Sequence, residues 1–445
     1  MPEIASPSAS TLTPAKTARQ RTDTFTSIWM MIAVAMAIAT LVAKSRMPQP
    51  LWTMIHLVTL GVLSNGIFQW SWFFARSLAR LSADDPRARR HNTIRVLIFN
   101  AFFALLFVSM WLGWMVGTVI AATGIAAVAA WHGAEMLSVL RERLASRFVV
   151  VVRYYVCSAS FFVLAALLAS FVTVTMFSPS IPEAMVAMRD RLTLAHALSG
   201  VAGWVGLTIG GTVITLGPTI LRTRMSPDAV SGGVRVLLPW CLSLLLAIAG
   251  ALLGVMPLVG AGILTVGACA IVGIVYPYAK VLRNKGPREY SAWSFLLGLL
   301  WISVGVCALG VAALFISTPS QLRALTLMWL PIIGIAGFAQ LFQGALSYLM
   351  PVVIGGGPSI VRIGIAIIDW QFPLRLGLRN SALILELFLF FAGDTPSVHV
   401  LRMAGWFLVI ATFVIDVVIY AKTGVTQARA RRARSETLSE SRQVQ

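Results

Sequence analysis

The fold follows first from AHALSGVAGWVGLTIGGTVITLGPT, residues 195–219, in which His196 is the sole ionisable side chain. A helix rises about 1.5 Å per residue, so this run is long enough to cross a hydrocarbon core about 30 Å thick. The run is continuously apolar and lacks the period-two alternation of a barrel strand. It therefore predicts a membrane-spanning helix, in which every backbone polar group is satisfied within the segment.

The same pattern recurs along the chain and predicts an all-α, polytopic transmembrane helix bundle of about 12 spans. Apolar residues make up 58% of the chain and charged residues 11%, against roughly 25% charged residues in a soluble domain. The predicted spans are 25–44, 51–75, 95–112, 114–136, 150–176, 192–218, 236–254, 257–280, 292–316, 325–350, 379–393 and 397–421. We expect residues 1–24 to be a polar cytoplasmic segment, residues 25–421 to form the bundle, and residues 422–445 to be a basic, disordered cytoplasmic tail.

The charge of the chain reflects its topology. The formal net charge is +19, and the basic residues fall in alternate connections between the spans. This positive-inside pattern places both termini in the cytoplasm, and it assigns Arg95, Arg375 and Arg379 to cytoplasmic connections. The bilayer is then the main partner, and we expect no nucleic-acid binding.

Three histidines carry the strongest indication of function. His56, His196 and His399 are predicted to lie at nearly the same depth, close to the outer membrane face. An imidazole inside a bilayer is costly and usually has a functional or partner-binding reason. The three together indicate a metal or haem site, although a simple hydrogen bond to a neighbouring helix competes with that interpretation and is favoured for His399. We expect His91 and His132 to be solvated or interfacial.

Other polar or irregular features leave alternatives open. Glu386 and Arg402 lie on consecutive predicted helices and are expected to form a buried ion pair, with a structural clamp as the favoured role. Residues 351–375 predict an irregular turn followed by an interfacial helix, and this break supports an alternative function as a metal-ion or small-solute transporter. A membrane scaffold for a separate copper protein is the third interpretation.

Four blocks of the chain carry a family resemblance. They are MIHLVTLGVLSNGIFQWSWFFARSL (54–78), WHGAEMLSVLRERLASRFVVVVRYYV (131–156), LAHALSGVAGWVGLTIGGTVITLGPTILRTRM (194–225) and LSYLMPVVIGGGPSIVR (346–362). These blocks resemble a bacterial copper-oxidase-like membrane family, which is distantly similar to haem–copper oxidase subunit I and to NnrS-type proteins.

The resemblance implies a multi-pass protein of the bacterial inner membrane with haem or copper as cofactor. It implies that His56 and His196 bind the cofactor, with His399 as a further candidate metal ligand, in metabolism of copper or nitrogen oxides. A cupredoxin-type copper protein or another electron donor is the implied partner. The adjacent histidine pair of span 7 and the histidine pair of span 10 are missing here, so we do not expect oxygen reduction. Any enzymatic role would be redox chemistry at a single centre.

Overall fold

The computed structural model is helical wherever the chain is described. It describes residues 25, 26, 28–36, 39, 49–82, 84–143, 149–177, 182–284, 286–393 and 395–443, and every regular element among them is a helix. The predicted segment 1–24 and part of the first predicted span lie outside the described residues. The main helices are α1 (Pro50–Leu78), α2 (Arg87–Trp111), α3 (Met115–Glu142), α4 (Val150–Phe177), α5 (Ala184–Ile220), α6 (Asp228–Leu253), α7 (Met256–Arg283), α8 (Tyr290–Phe315), α9 (Pro319–Ile354), α10 (Pro358–Ile368), α11 (Phe372–Phe391) and α12 (Pro396–Gln443).

Ten of these helices, all except α10 and α11, are long and apolar enough to cross a membrane, counted within the described residues. The all-α class of a multi-pass membrane protein is thereby confirmed, while the number of 12 spans and the cytoplasmic termini stay predictions. α11 corresponds to the eleventh predicted span but carries Arg375, Arg379 and Glu386 within 20 residues. α10 is a short apolar helix of 11 residues, which fits the interfacial helix expected after the irregular turn.

The outer surface of the helices is unusually apolar. Phe315 is 82% exposed, and Leu112, Phe391 and Phe407 are likewise largely exposed. In water such contiguous apolar surface would cause association or aggregation. Against lipid chains it has no such cost, because the surroundings are equally apolar.

The chain divides into two compact units. Unit 1 comprises residues 1–215, 230–269 and 313–321, and unit 2 comprises residues 216–229, 270–312 and 322–445. In unit 1, α4 packs against α3 and α5. The approach of α4 to α5 needs Gly203, because a Cβ at that position would lie 2.5 Å from Phe161 Cβ. In unit 2, α11 packs along α12 around a small apolar core that includes Leu383 and Val409.

The part of the basic tail that the structure describes, residues 422–443, is helical, where disorder was expected. α12 continues without a break to Gln443. Its side chains meet the irregular turn after α9: Gln427 Nε2 donates to Pro351 O at 2.6 Å, and Arg431 Nη1 donates to Ile354 O at 2.7 Å. The last carbonyl groups of a helix have no partner within the helix. The side chains of Gln427 and Arg431 therefore supply hydrogen-bond donors to carbonyl groups at the end of α9. The expectation of disorder followed from composition alone and could not include these contacts.

Candidate functional site: a pair of imidazoles

A π-helical stretch follows each of two predicted ligands. His56 comes directly before the π-helical segment Leu57–Ser64 of α1, and His196 lies two residues before the segment Leu198–Gly206 of α5. Such stretches contain an extra residue per turn and often occur at functional sites. Similar segments at Ile271–Val275 and Ile333–Ala339 show that the feature is not confined to these histidines.

Both imidazoles are fixed through the same ring nitrogen. His56 Nδ1 lies 2.9 Å from Trp52 O on its own helix, and His196 Nδ1 lies 2.8 Å from Ala165 O on α4. A carbonyl oxygen can only accept, so Nδ1 carries the proton and donates in both rings. In the neutral ring, Nε2 then holds the free lone pair. Histidines that bind metals are oriented in this way by a hydrogen bond at the opposite nitrogen.

The two rings lie close together in unit 1. Their centroids are 6.2 Å apart and their planes differ by 14°. A metal–Nε2 bond is about 2.0 Å long, so two imidazoles that bind one metal must lie within a few ångströms of each other. The indole of Trp52 stacks on His56 with centroids 4.3 Å apart and limits its rotation. The separation of the rings therefore suits two ligands of one centre.

The third predicted ligand belongs to the other unit of the chain. His399 lies near the start of α12 in unit 2, whereas His56 and His196 belong to unit 1. Among the residues that the structure describes, no group of three or more His, Cys, Asp or Glu side chains is placed to hold a metal ion. A centre at this site would thus have two protein ligands.

An aromatic cluster lies beside the pair in unit 1. Trp204 of α5 stacks on Phe162 with centroids 4.6 Å apart and packs against Phe68. Its Nε1 donates to Ser64 Oγ at 2.9 Å, which ties the π-helical stretch of α1 to that of α5. The segments that follow the two histidines are thereby held against each other.

The expectation of a solvated or interfacial environment was wrong for His132. Its side chain is fully buried, with Phe68, Trp72 and Trp204 all nearly perpendicular to its ring. Ser71 Oγ lies 3.3 Å from His132 Nε2. The position of His132 near the end of a predicted span suggested exposure, and only the neighbouring helices bury it. His91, by contrast, has a side chain that is 41% exposed.

Glu135 organises a polar group at the same end of α3, which the sequence reasoning missed. Its carboxylate accepts from His91 Nδ1 at 2.7 Å, from Trp131 Nε1 at 2.9 Å and from Arg95. Arg95, assigned from the sequence to a cytoplasmic connection, is instead buried, with its guanidinium between the rings of Trp72 and Trp131. The i, i+4 spacing of Trp131 and Glu135 was the available signal, since such residues share a helix face.

A second buried cluster fills one end of unit 2. Arg375 and Arg379 of α11 both bind the carboxylate of Asp416 on α12, and all three side chains are buried. Tyr290 Oη donates to Asp416 Oδ2 at 2.7 Å, and Arg379 Nη1 donates to Gln343 Oε1 at 2.9 Å. Both arginines thus lie within α11 and not in a connection between helices, and Asp416 of α12 compensates their charge, while their cytoplasmic side stays a prediction.

Glu386 and Arg402 do not form the expected closed ion pair. Arg402 Nη2 donates to Leu389 O at 3.1 Å. Glu386 is 3% exposed, and its Oε1 has no hydrogen-bond partner among the described residues. The two side chains lie on the neighbouring helices α11 and α12, as predicted, but the guanidinium takes a backbone carbonyl as its partner.

Similarity to known proteins does not assign a ligand to the imidazole pair. Comparisons of the chain with protein-family models, with curated proteins and with solved structures found no match.

Proposed function

We propose that the chain is a multi-pass protein of the bacterial inner membrane that binds one haem or copper centre between His56 and His196. The observation that carries this proposal is the shared geometry of the two rings. Each donates Nδ1–H to a backbone carbonyl, and the centroids lie 6.2 Å apart with nearly parallel planes. This arrangement leaves an Nε2 lone pair free on each of two neighbouring rings.

The number of ligands narrows the choice of centre. Structural zinc sites need four protein ligands and catalytic ones three, which the described residues do not offer here. Haem needs only axial side chains, because the porphyrin supplies the other four nitrogens. Copper in its reduced state also accepts two ligands. Either centre would supply one-electron transfer, with the backbone hydrogen bonds of His56 and His196 holding the rings in position.

The same proposal defines the biological setting. An electron donor such as a cupredoxin-type protein would serve the centre, in metabolism of copper or of nitrogen oxides. Oxygen reduction is not proposed, since the histidines that a dinuclear haem–copper site requires are missing from the sequence. His399 is kept as an additional candidate ligand, to be tested separately.

The test is metal and haem analysis of the full chain purified in detergent. Absorption spectra and elemental analysis should show about one centre per chain in the wild type, and its loss in both His56→Ala and His196→Ala. His91→Ala is the matched control, because His91 is a partly exposed histidine of unit 1 outside the pair, and it should retain the centre. His399→Ala shows whether the third histidine contributes. Wild-type protein without haem and copper, or a His56→Ala variant that keeps its full content, would contradict the proposal.

The transporter interpretation has less support in the geometry. It depended on the break at residues 351–358, and the carbonyl groups there accept hydrogen bonds from Gln427, Arg431 and Arg434 of α12. The carbonyl groups of the break are therefore already hydrogen-bonded, whereas a transport site needs carbonyl groups that are free to bind a solute. The scaffold interpretation corresponds to the outcome in which the purified chain carries no centre.

A further inference from the structure

Glu386 is a buried carboxyl group that the metal proposal does not use. It lies on α11 about one and a half turns before that helix ends, with 3% of its surface exposed. Its Oε1 has no hydrogen-bond partner among the described residues. An ionised carboxylate without donors loses its hydration and gains nothing in exchange, so the neutral acid is the favoured form in such surroundings.

The neighbouring helix leaves space for this carboxyl group. A Cβ on Gly405 of α12 would lie 2.3 Å from Glu386 Oε1, so the carboxyl oxygen occupies volume that only a glycine leaves free. Arg402 lies one turn earlier on α12, and its charge acts on Glu386. Its Nη2 nevertheless donates to Leu389 O at 3.1 Å. A counter-charge is therefore nearby but bonded to another group.

Two other carboxylates, the buried Asp416 and the partly buried Glu135, show the contrasting arrangement. Asp416 is bound by two guanidinium groups and by Tyr290 Oη. Glu135 accepts from Arg95, His91 and Trp131. Charge-assisted donors of this kind stabilise the ionised form. Glu386 has no equivalent donors at Oε1.

The ionisable groups nearest to Glu386 and Arg402 along the two helices are Arg375, Arg379, His399 and Asp416. On α11, Arg375 and Arg379 are bound to Asp416 of α12. His399 lies one turn before Arg402 on α12. Arg402 is thus the side chain placed to compensate a negative charge on Glu386.

We propose that Glu386 is a proton-binding site in unit 2, neutral in this conformation, and that Arg402 turns from Leu389 O to the carboxylate when the proton leaves. The step breaks one O–H bond, and it leaves a carboxylate and a hydrogen ion that passes to water or another base. It needs no oxidant or reductant. Unit 2 would then exchange a proton within the apolar part of the molecule, coupled to a change of one arginine rotamer, independently of the imidazole pair in unit 1.

The first test is labelling with dicyclohexylcarbodiimide, which adds to protonated carboxyl groups in apolar surroundings. Mass spectrometry of the folded full chain should find the adduct on Glu386, at least roughly tenfold above Asp416 and Glu135. Labelling should fall about tenfold per pH unit above the titration midpoint. Arg402→Gln should shift that fall to higher pH, because the counter-charge is removed. Folded protein in which Glu386 is unlabelled from mildly acidic to mildly alkaline pH, or labelled no more than Asp416, would overturn the proposal.

The second test is the thermal unfolding of Glu386→Gln at neutral pH. The amide has the size of the neutral acid and also lacks charge, so the melting temperature should match that of the wild type. A clearly higher melting temperature would show that an uncompensated charge had been removed, and a clearly lower one that a paired carboxylate had been lost; either result would reject the proposal.

Discussion

The imidazole pair of unit 1 and the cluster around Asp416 in unit 2 both place polar groups among apolar helices, but they use their hydrogen-bonding capacity differently. His56 and His196 each use one ring nitrogen. Asp416 has both carboxylate oxygens bound, by Arg375, Arg379 and Tyr290. A saturated polar network stabilises one arrangement of helices, whereas unused lone pairs are available to a ligand. The comparison distinguishes a structural polar network from the binding site proposed for the imidazole pair.

The largest effect is expected at the saturated cluster. Asp416→Asn removes the negative charge and leaves two buried guanidinium groups unpaired, which should cost about 3–5 kcal/mol of unfolding free energy. Thermal and denaturant unfolding in detergent would measure it. Asp228→Asn is the control, because the Asp228–Lys280 pair, at 3.0 Å, is largely exposed and such a pair contributes about 0–1 kcal/mol. A variant at Asp416 as stable as that control would remove the distinction between the two regions.

The close approach of α4 to α5 should have an intermediate effect. Gly203→Ala would place a Cβ 2.5 Å from Phe161 Cβ, and overpacking of this kind costs about 1–3 kcal/mol. Gly200→Ala is the matched control, since its Cβ would meet only Ala165 Cβ at 3.8 Å, and it should be neutral or stabilising by up to about 1 kcal/mol. Because His196 is bonded to Ala165 O of α4, the Gly203 variant should also lose part of its metal content. Equal stability of the two variants would argue against a tight α4–α5 contact.

The imidazole pair itself should contribute little to stability. His196→Ala removes one hydrogen bond, to Ala165 O, and should cost about 0.5–1.5 kcal/mol in metal-free protein. The same variant should abolish metal binding, so function and stability would respond very differently. A loss of unfolding free energy equal to that of Asp416→Asn would instead indicate that the pair has a structural role.

The smallest effect belongs to an ion pair in a connection between spans. Arg87 Nη2 donates to Asp85 Oδ2 at 2.7 Å, and the hydrogen bonds from Arg87 lower the pKa of Asp85. A lowered pKa in the folded state stabilises the protein above the unfolded-state pKa, about 3.9, and this contribution is lost as the pH falls through the folded-state pKa. Asp85→Asn should therefore cost about 1 kcal/mol or less at neutral pH and nothing in acid. Melting temperatures of both proteins at neutral and acidic pH would show whether their difference disappears.

Local information was sufficient for the helices but not for the surroundings of their polar residues. The apolar runs predicted ten helices that the structure also has, and the span 2 and span 6 histidines do lie near each other. His132 was misjudged because nearness to a span end was read as exposure, and the sequence did not show that Arg95, Arg375 and Arg379 are buried. The sequence did not show which residues surround these side chains. Three aromatic rings enclose His132, and Asp416 compensates the charge of both arginines of α11.

The sequence by itself determined that this chain is a series of apolar helices, because a run of about 20 apolar residues must satisfy its backbone internally in lipid. Only the tertiary structure decided which polar groups meet. Helices that are apolar on every side show no buried face in their periodicity, and their neighbours are chosen by close packing and by hydrogen bonds between helices. The approach of His56 to His196, the saturation of Asp416 and the unpaired oxygen of Glu386 all follow from that choice.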